Sequence, residues 1–213
     1  MAVLDDKTRS QLKSVLGNMV NPVKVVLFTQ EFECPLCKDT KEFVEEICSL
    51  SDKIDFQLKG FVDDSAYAEK LGVDKNPAVV ILDNDGKDYG IKFYGPPGGY
   101  EINSFLKSIL EVSGKREEFS QDLIKRIKAV DKDIHIQVFV STSCPHCPEA
   151  VSKSHRLAFE NDRIKTDMIE GSAFPHIVNK FNVTSVPKIV INNNTEILGN
   201  VPVEDILKAI ESL

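Results

Sequence analysis

The chain has 213 residues, enough for one large domain or two small ones, each able to bury a core. Its 42% hydrophobic and 28% charged residues are those of an ordinary globular protein, and a net charge of −7 leaves no basic stripe to neutralise nucleic-acid phosphates. No apolar run approaches the roughly 18 residues of a membrane span. The start, Met-Ala-Val-Leu-Asp5-Asp6-Lys7, has acids where a signal peptide needs a basic end, so a cytoplasmic location is expected.

Residues 5–20 place Leu12, Val15, Leu16 and Met19 at helical spacing, with Asp5 or Asp6 as a cap, and Asn21-Pro22 ends the helix. Residues 23–29 are a continuous valine-rich apolar run, as expected of a strand buried on both faces. Cys34-Pro35-Leu36-Cys37 follows at once. From Lys38 the pattern is helical, with Phe43, Val44, Ile47 and Leu50 on one face. Ile54, Phe56 and Leu58 alternate with polar residues as in a strand, and residues 65–71 form a short helix that stops at Gly72. After Pro77, residues 78–82 read as a buried strand, Asp83-Asn84-Asp85-Gly86 as a turn and residues 89–94 as the antiparallel return. Pro96-Pro97-Gly98-Gly99 then breaks the chain ahead of a helix carrying Ile102, Phe105, Leu106 and Ile109.

Ser113-Gly114-Lys115-Arg116 is the best boundary, giving units of residues 1–113 and 114–213. Beyond it the same order recurs. Ser120 can cap a helix bearing Leu123, Ile124, Ile127 and Val130, and residues 134–140 form a strand leading into Cys144-Pro145-His146-Cys147. A helix with Ala150, Val151, Leu157 and Phe159 follows, then a strand with Ile164, Thr166 and Met168 on one face. Ile177, Val178 and Phe181 suggest a short helix, residues 188–191 and 196–198 a hairpin around Asn192-Asn193-Asn194, and residues 205–213 a closing helix.

The two cysteine pairs stand 110 positions apart, and each is followed by a proline, Pro77 or Pro187, 43 residues after its first cysteine. The shared register implies one duplicated unit. Matching Leu106 to Leu207 gives an offset of 101, so the first copy carries about nine extra residues near its hairpin, where loops tolerate insertions.

Of the five cysteines, four lie in C-x-x-C pairs, a pattern that in an intracellular chain points to redox work or metal. At a strand-to-helix junction the first sulfur sits at the helix N-terminus, where unpaired N–H groups and the dipole favour a thiolate. Only the thiolate attacks a disulfide, and a second cysteine one turn on can resolve the mixed disulfide. Cys34 and Cys144 are the expected nucleophiles, Cys37 and Cys147 the resolving thiols. Pro35 and Pro145 suit the first helical turn. An X-Pro bond is usually trans, but the repeated register argues for cis at Asn76-Pro77 and Val186-Pro187, placing a backbone edge beside the cysteines for an extended substrate. His146, between two cysteines, can favour the Cys144 thiolate, whereas Cys48 falls on an apolar helix face and reads as a structural thiol.

The element order, C-P-x-C after the first strand and a proline before the hairpin resemble the thioredoxin fold. Without tryptophan, both sites depart from W-C-G-P-C, and C-P-x-C with Ser185-Val186-Pro187 is more similar to glutaredoxin. Two such units in one chain resemble the glutaredoxin-like protein disulfide oxidoreductases of thermophilic archaea and bacteria. The resemblance implies an α/β protein of two tandem units, each a mixed central sheet flanked by helices. It implies reduction, oxidation and isomerisation of protein disulfides, with a thioredoxin reductase as partner and no cofactor beyond the cysteine pairs. Glutathione is a candidate reductant: glutaredoxins hold it with a glycine pair near this place, although Gly98-Gly99 is read here as structure. Thioredoxins carry a buried acid six residues before the first cysteine, where this chain has Phe28 and Val138; Glu31, Glu33 and Glu46 are the candidate substitutes, although Glu31 and Glu33 read rather as solvated loop charges.

Three rival readings remain. Four thiolates could bind zinc, but zinc ribbons space their pairs about 15–20 residues apart, so no metal is expected. An electron-transfer module for a peroxide-reducing enzyme also pairs two thioredoxin-like units, usually with cysteines in one. A chaperone-like peptide-binding module is the third. Charge separates the units: residues 1–113 hold 13 basic and 19 acidic side chains, residues 114–213 hold 13 and 14. Glu31 and Glu33 precede the first pair, while Ser141, Thr142 and Ser143 precede the second. Cys144 is therefore expected to be the more acidic thiol, the second pair the more oxidising, and electrons to flow from first to second.

Overall fold

The computed structural model describes residues 4–213; the first three residues of the start weighed against a signal peptide lie outside it. In chain order the first half forms α1 (Asp6–Leu16), β1 (Val23–Thr29), α2 (Cys37–Cys48), β2 (Ile54–Gly60), α3 (Ser65–Lys70), β3 (Ala78–Asp83), β4 (Asp88–Tyr94), a 3-10 turn (Gly99–Glu101) and α4 (Ile102–Val112). The second half repeats the order as α5 (Gln121–Lys128), β5 (Ile134–Val140), α6 (Cys147–Glu160), β6 (Ile164–Glu170), α7 (Pro175–Lys180), β7 (Lys188–Ile191), β8 (Thr195–Leu198) and α8 (Val203–Glu211). Capping fixes two of the starts. The Asp5 carboxylate accepts the Thr8 N–H at 2.8 Å and the Ser120 hydroxyl accepts the Leu123 N–H at 3.2 Å. Among the described residues no helix is long and apolar enough to cross a membrane.

The eight strands of the described residues join one mixed sheet in the order β2-β1-β3-β4-β6-β5-β7-β8. Val25, Val26, Leu27 and Phe28 of β1 are fully buried because helices cover both faces. One face packs on α1, α2, α4, α5, α6 and α8 through residues such as Leu16, Ile47, Phe105, Ile127, Val151 and Leu207. The other packs on α3 and α7, around Ala68, Tyr94, Phe139 and Phe174.

The units meet strand to strand. β4 runs parallel to β6, with Ile91 opposite Thr166 and Tyr94 opposite Ile169. Behind this joint Phe93 meets Phe105 edge-on at 5.4 Å and the His155 ring at 4.9 Å, contacts worth about 0.5–1.5 kcal/mol each beyond area burial for an aromatic pair. His155 lies 3.1 Å from the Ser108 hydroxyl, and burial pulls its imidazole down to about 3. The stretch between the units is pinned rather than loose. Arg116 donates to the Glu111 carbonyl at 2.7 Å and stacks over Tyr89 of one half and Phe159 of the other at 4.8 and 4.6 Å.

The extra residues of the first copy are not a tolerated surface loop. They lengthen β3 to six residues against four in β7 and β4 to seven against four in β8, and they extend the connection into α4. The lengthened β4 faces the second unit: it pairs with β6, and a side chain added at Gly95, just after it, would come within 2.8 Å of Glu170 Cβ.

Candidate active sites

β1, β4, β5 and β6 all point the same way, so both cysteine pairs emerge at one end of the sheet, in front of helices on one face. Four strand spacings separate β1 from β5, about 19 Å at ~4.8 Å each. The four sulfurs therefore form two sites, not one cluster.

In each site the helix begins at the second cysteine, so the first cysteine stands three residues ahead of it and not at its first residue: Leu36 and His146 are the N-caps of α2 and α6. In the first site the Cys37 N–H donates back to the Cys34 carbonyl at 3.2 Å, a turn that puts Pro35 ahead of α2; in the second the Cys144 N–H donates to the Ser141 carbonyl at 3.0 Å, and Pro145 likewise precedes α6. Both pairs are disulfide-bonded, with Cα separations of 5.4 and 5.5 Å. Cys34 and Cys144 are half-buried, while Cys37 and Cys147 are 3% and 0% exposed. An incoming sulfur can reach the outer atom of each bond but not the inner one.

The Asn76-Pro77 and Val186-Pro187 bonds are both cis, and both prolines are buried at the start of a strand. The Val186 carbonyl oxygen lies 3.8 Å from Cys144 Sγ. Asn76 occupies the equivalent position in the first unit, its amide nitrogen buried without a hydrogen-bond partner. The Gln30 N–H points at Cys37 Sγ from 3.5 Å. His146 is exposed and its ring caps no backbone N–H.

The surroundings of the two pairs differ. Beside the first lies an open groove of about 900 Å³ lined by Phe32, Leu58, Phe61, Val62, Lys38 and Lys59. Phe32 and Val62 are 80% and 69% exposed, an apolar surface that water alone does not favour. The second pair is approached by Ser141, Thr142 and Ser143 instead, with the Ser141 and Ser143 hydroxyls 3.0 Å apart.

Of the acids considered for proton handling, Glu31 and Glu33 are exposed, and Glu46 is held by Arg9 and by the Leu4 N–H. The buried carboxylate is one the sequence reading passed over. Glu101 is fully buried on the 3-10 turn that packs against α6, the helix opening at Cys147. Its Oε2 accepts the Ser104 hydroxyl and Oε1 has no partner. Burial pushes this carboxyl up to about 7, the Ser104 bond offsetting part of the rise. A signal did exist: Glu101, Ser104, Ser108 and Glu111 follow helical spacing on the buried face of α4. Cys48 is free and buried, and burial with nearby Glu45 pushes its thiol up to about 12. Among the described residues no group of three or more His, Cys, Asp or Glu side chains is arranged to hold a metal ion.

Residues 134–212 match the family described as Thioredoxin domain. The chain is 29% identical over 210 residues to NADH dehydrogenase of Ferdinandcohnia aciditolerans, covering 99% of this chain and 38% of that protein. It thus spans little more than a third of the curated relatives it matches. A protein disulfide oxidoreductase from Aeropyrum pernix superposes with a TM-score of 0.91 at 28% identity, over 99% of this chain and 94% of that one. The NTD_N/C domain of alkylhydroperoxide reductase AhpF from Enterococcus faecalis gives 0.90 at 28% identity, over 97% and 99%. Geometry and likeness together identify the chain as a two-unit thioredoxin-fold protein whose two C-P-x-C pairs are built for thiol–disulfide exchange.

Proposed function

We propose that the chain, with residues 1–113 and 114–213 as its units, is a protein dithiol–disulfide oxidoreductase in the cytoplasm. The observation that carries this reading is the repeated contrast within each pair, a reachable outer sulfur and a buried inner one at the head of a helix. In the reductive direction the Cys34 or Cys144 thiolate attacks a substrate disulfide. One substrate sulfur leaves and takes a proton; Cys37 or Cys147 then attacks the bonded cysteine and releases the other as a thiol. Two electrons and two protons pass to the substrate, and the pair ends oxidised.

Glu101 takes the proton from Cys147 as that thiol becomes the attacking thiolate, a role suited to a carboxyl near 7. Pro77 and Pro187 with Asn76 and Val186 offer backbone to an extended substrate, and His146 favours the Cys144 thiolate. The second pair is the more oxidising, so electrons pass from first to second. A thioredoxin reductase recharges the pairs, with glutathione as the alternative reductant.

A second reading, an electron-transfer module for a peroxide-reducing enzyme, draws on the likeness to the AhpF domain over nearly the whole chain. Insulin reduction separates catalysis from peptide binding: Cys34→Ser/Cys144→Ser should lose at least about 100-fold in rate, and full activity in that variant would remove the proposal. Coupled peroxide reduction, with a flavin reductase as electron source and a peroxiredoxin as acceptor, tests the second reading. It stands only if the chain passes electrons to the peroxiredoxin faster than to insulin.

A further inference from the structure

Ser141, Thr142 and Ser143 connect β5 to Cys144, and they do not stand on their own unit alone. The Tyr100 N–H of the first unit donates to the Thr142 carbonyl at 2.9 Å. One residue earlier, Gly99 has the left-handed φ of +57° and lies so close to Thr142 that a Cβ there would run into its carbonyl. One residue later, Glu101 is buried against α6. Gly98, next door, has an ordinary φ of −100°, and an added Cβ would meet nothing nearer than Phe43 at 4.0 Å.

We propose that the first unit completes the second dithiol site: the Gly99-Tyr100 turn is a positioning element that holds the Thr142 loop, and through it Cys144, in the geometry that favours the reduced pair. This rests on Cys144–Cys147 being a working pair. A loosened loop carries Cys144 away from the N-terminal end of α6, so its thiolate loses stabilisation and the disulfide is favoured. The glycine pair then serves the neighbouring unit's backbone, and only its second member matters.

The test uses full-length chains in two backgrounds, Cys34→Ser/Cys37→Ser to read the second pair and Cys144→Ser/Cys147→Ser to read the first. Each carries Gly99→Ala or Gly98→Ala and is equilibrated with dithiothreitol redox buffers. Gly99→Ala should shift the second pair about tenfold toward the disulfide and slow Cys144 alkylation at pH 6 about fivefold. The first pair, and both pairs in Gly98→Ala, should stay within about twofold. An unmoved second pair, an equal shift of both pairs, or equal effects of the two glycine variants would overturn the proposal.

The wild type offers a reading that needs no variant to fold. If the turn biases the pair, the pair must bias the turn, so reducing Cys144–Cys147 should change exchange of the Tyr100 amide about fivefold or more, while reducing Cys34–Cys37 leaves it unchanged. A Tyr100 amide indifferent to the second pair sinks the idea. A second pair that reacts with dithiothreitol yet reduces no protein disulfide would instead count against the function, leaving this linkage standing.

Discussion

In the first unit the cysteine pair opens onto a groove edged by exposed Phe32 and Val62; in the second, the same motif is framed by small polar residues and by a turn borrowed from its neighbour. The first pair depends on its own unit and presents apolar surface, the dress of a protein-docking site. The second is braced from outside and has a buried carboxyl in its framing turn. Duplication of a sequence therefore did not duplicate an environment. What differs is position: the second unit sits against β4 and the Gly99-Tyr100 turn of the first.

The sharpest way to break this contrast is to remove one nucleophile at a time. Cys144→Ser should lower disulfide donation to reduced, unfolded protein at least about tenfold, and Cys34→Ser should leave most of it; the reverse ranking would invert the assignment. Glu101→Gln should come next. It should slow the second pair about tenfold at pH 7.5 and erase a rate ionisation near 7, with the first pair untouched.

The same substitution has a stability signature. Burial raises the folded carboxyl to about 7 from an ordinary 4.5, so the native state holds a proton that the unfolded chain has released between those values. The favourable contribution is complete below about 4.5 and is lost as pH rises through about 7. Glu101→Gln should therefore narrow the fall in melting temperature between pH 5 and pH 8, and an unchanged fall would place the ionisation elsewhere. His155 acts oppositely: its imidazole is held down to about 3, so stability drops as pH falls below about 6.5.

Smaller effects should follow at the rims. Phe32→Ser with Val62→Ser should raise KM for insulin at the first pair about threefold while leaving reduction of a small disulfide unaltered. His146→Ala should slow Cys144 alkylation about twofold at pH 6. Identical losses on protein and small-molecule substrates would deny the groove a docking role.

Much of this was legible in the chain because local patterns determine it. The apolar runs at 23–29 and 134–140 became β1 and β5 with the expected bounds, since strands covered on both faces need no polar alternation. The cysteine pairs stood out through their repeat. What escaped the reading was non-local. Nothing near Glu101 says that α6 will cover it, and an acid at the start of a helix ordinarily looks solvated. Gly99 looked like a chain break because its partner, Thr142, is 43 residues away. The additional residues around the first hairpin resembled a harmless insertion, and only the pairing of β4 with β6 reveals them as a mating surface.

That pairing also bears on self-association. The units are joined front to back, each presenting strands of the same direction and helices on the same face, so the contact has no symmetry that closes it. Repeated, it would set β8 of one molecule against β2 of the next and string molecules into a ribbon. β8 is only four residues long, and β2 carries Asp55, Gln57 and Lys59 along its free margin. A short strand and a charged one make poor templates for further pairing. The unequal hairpins that let one unit dock on the other thus also discourage a third from joining.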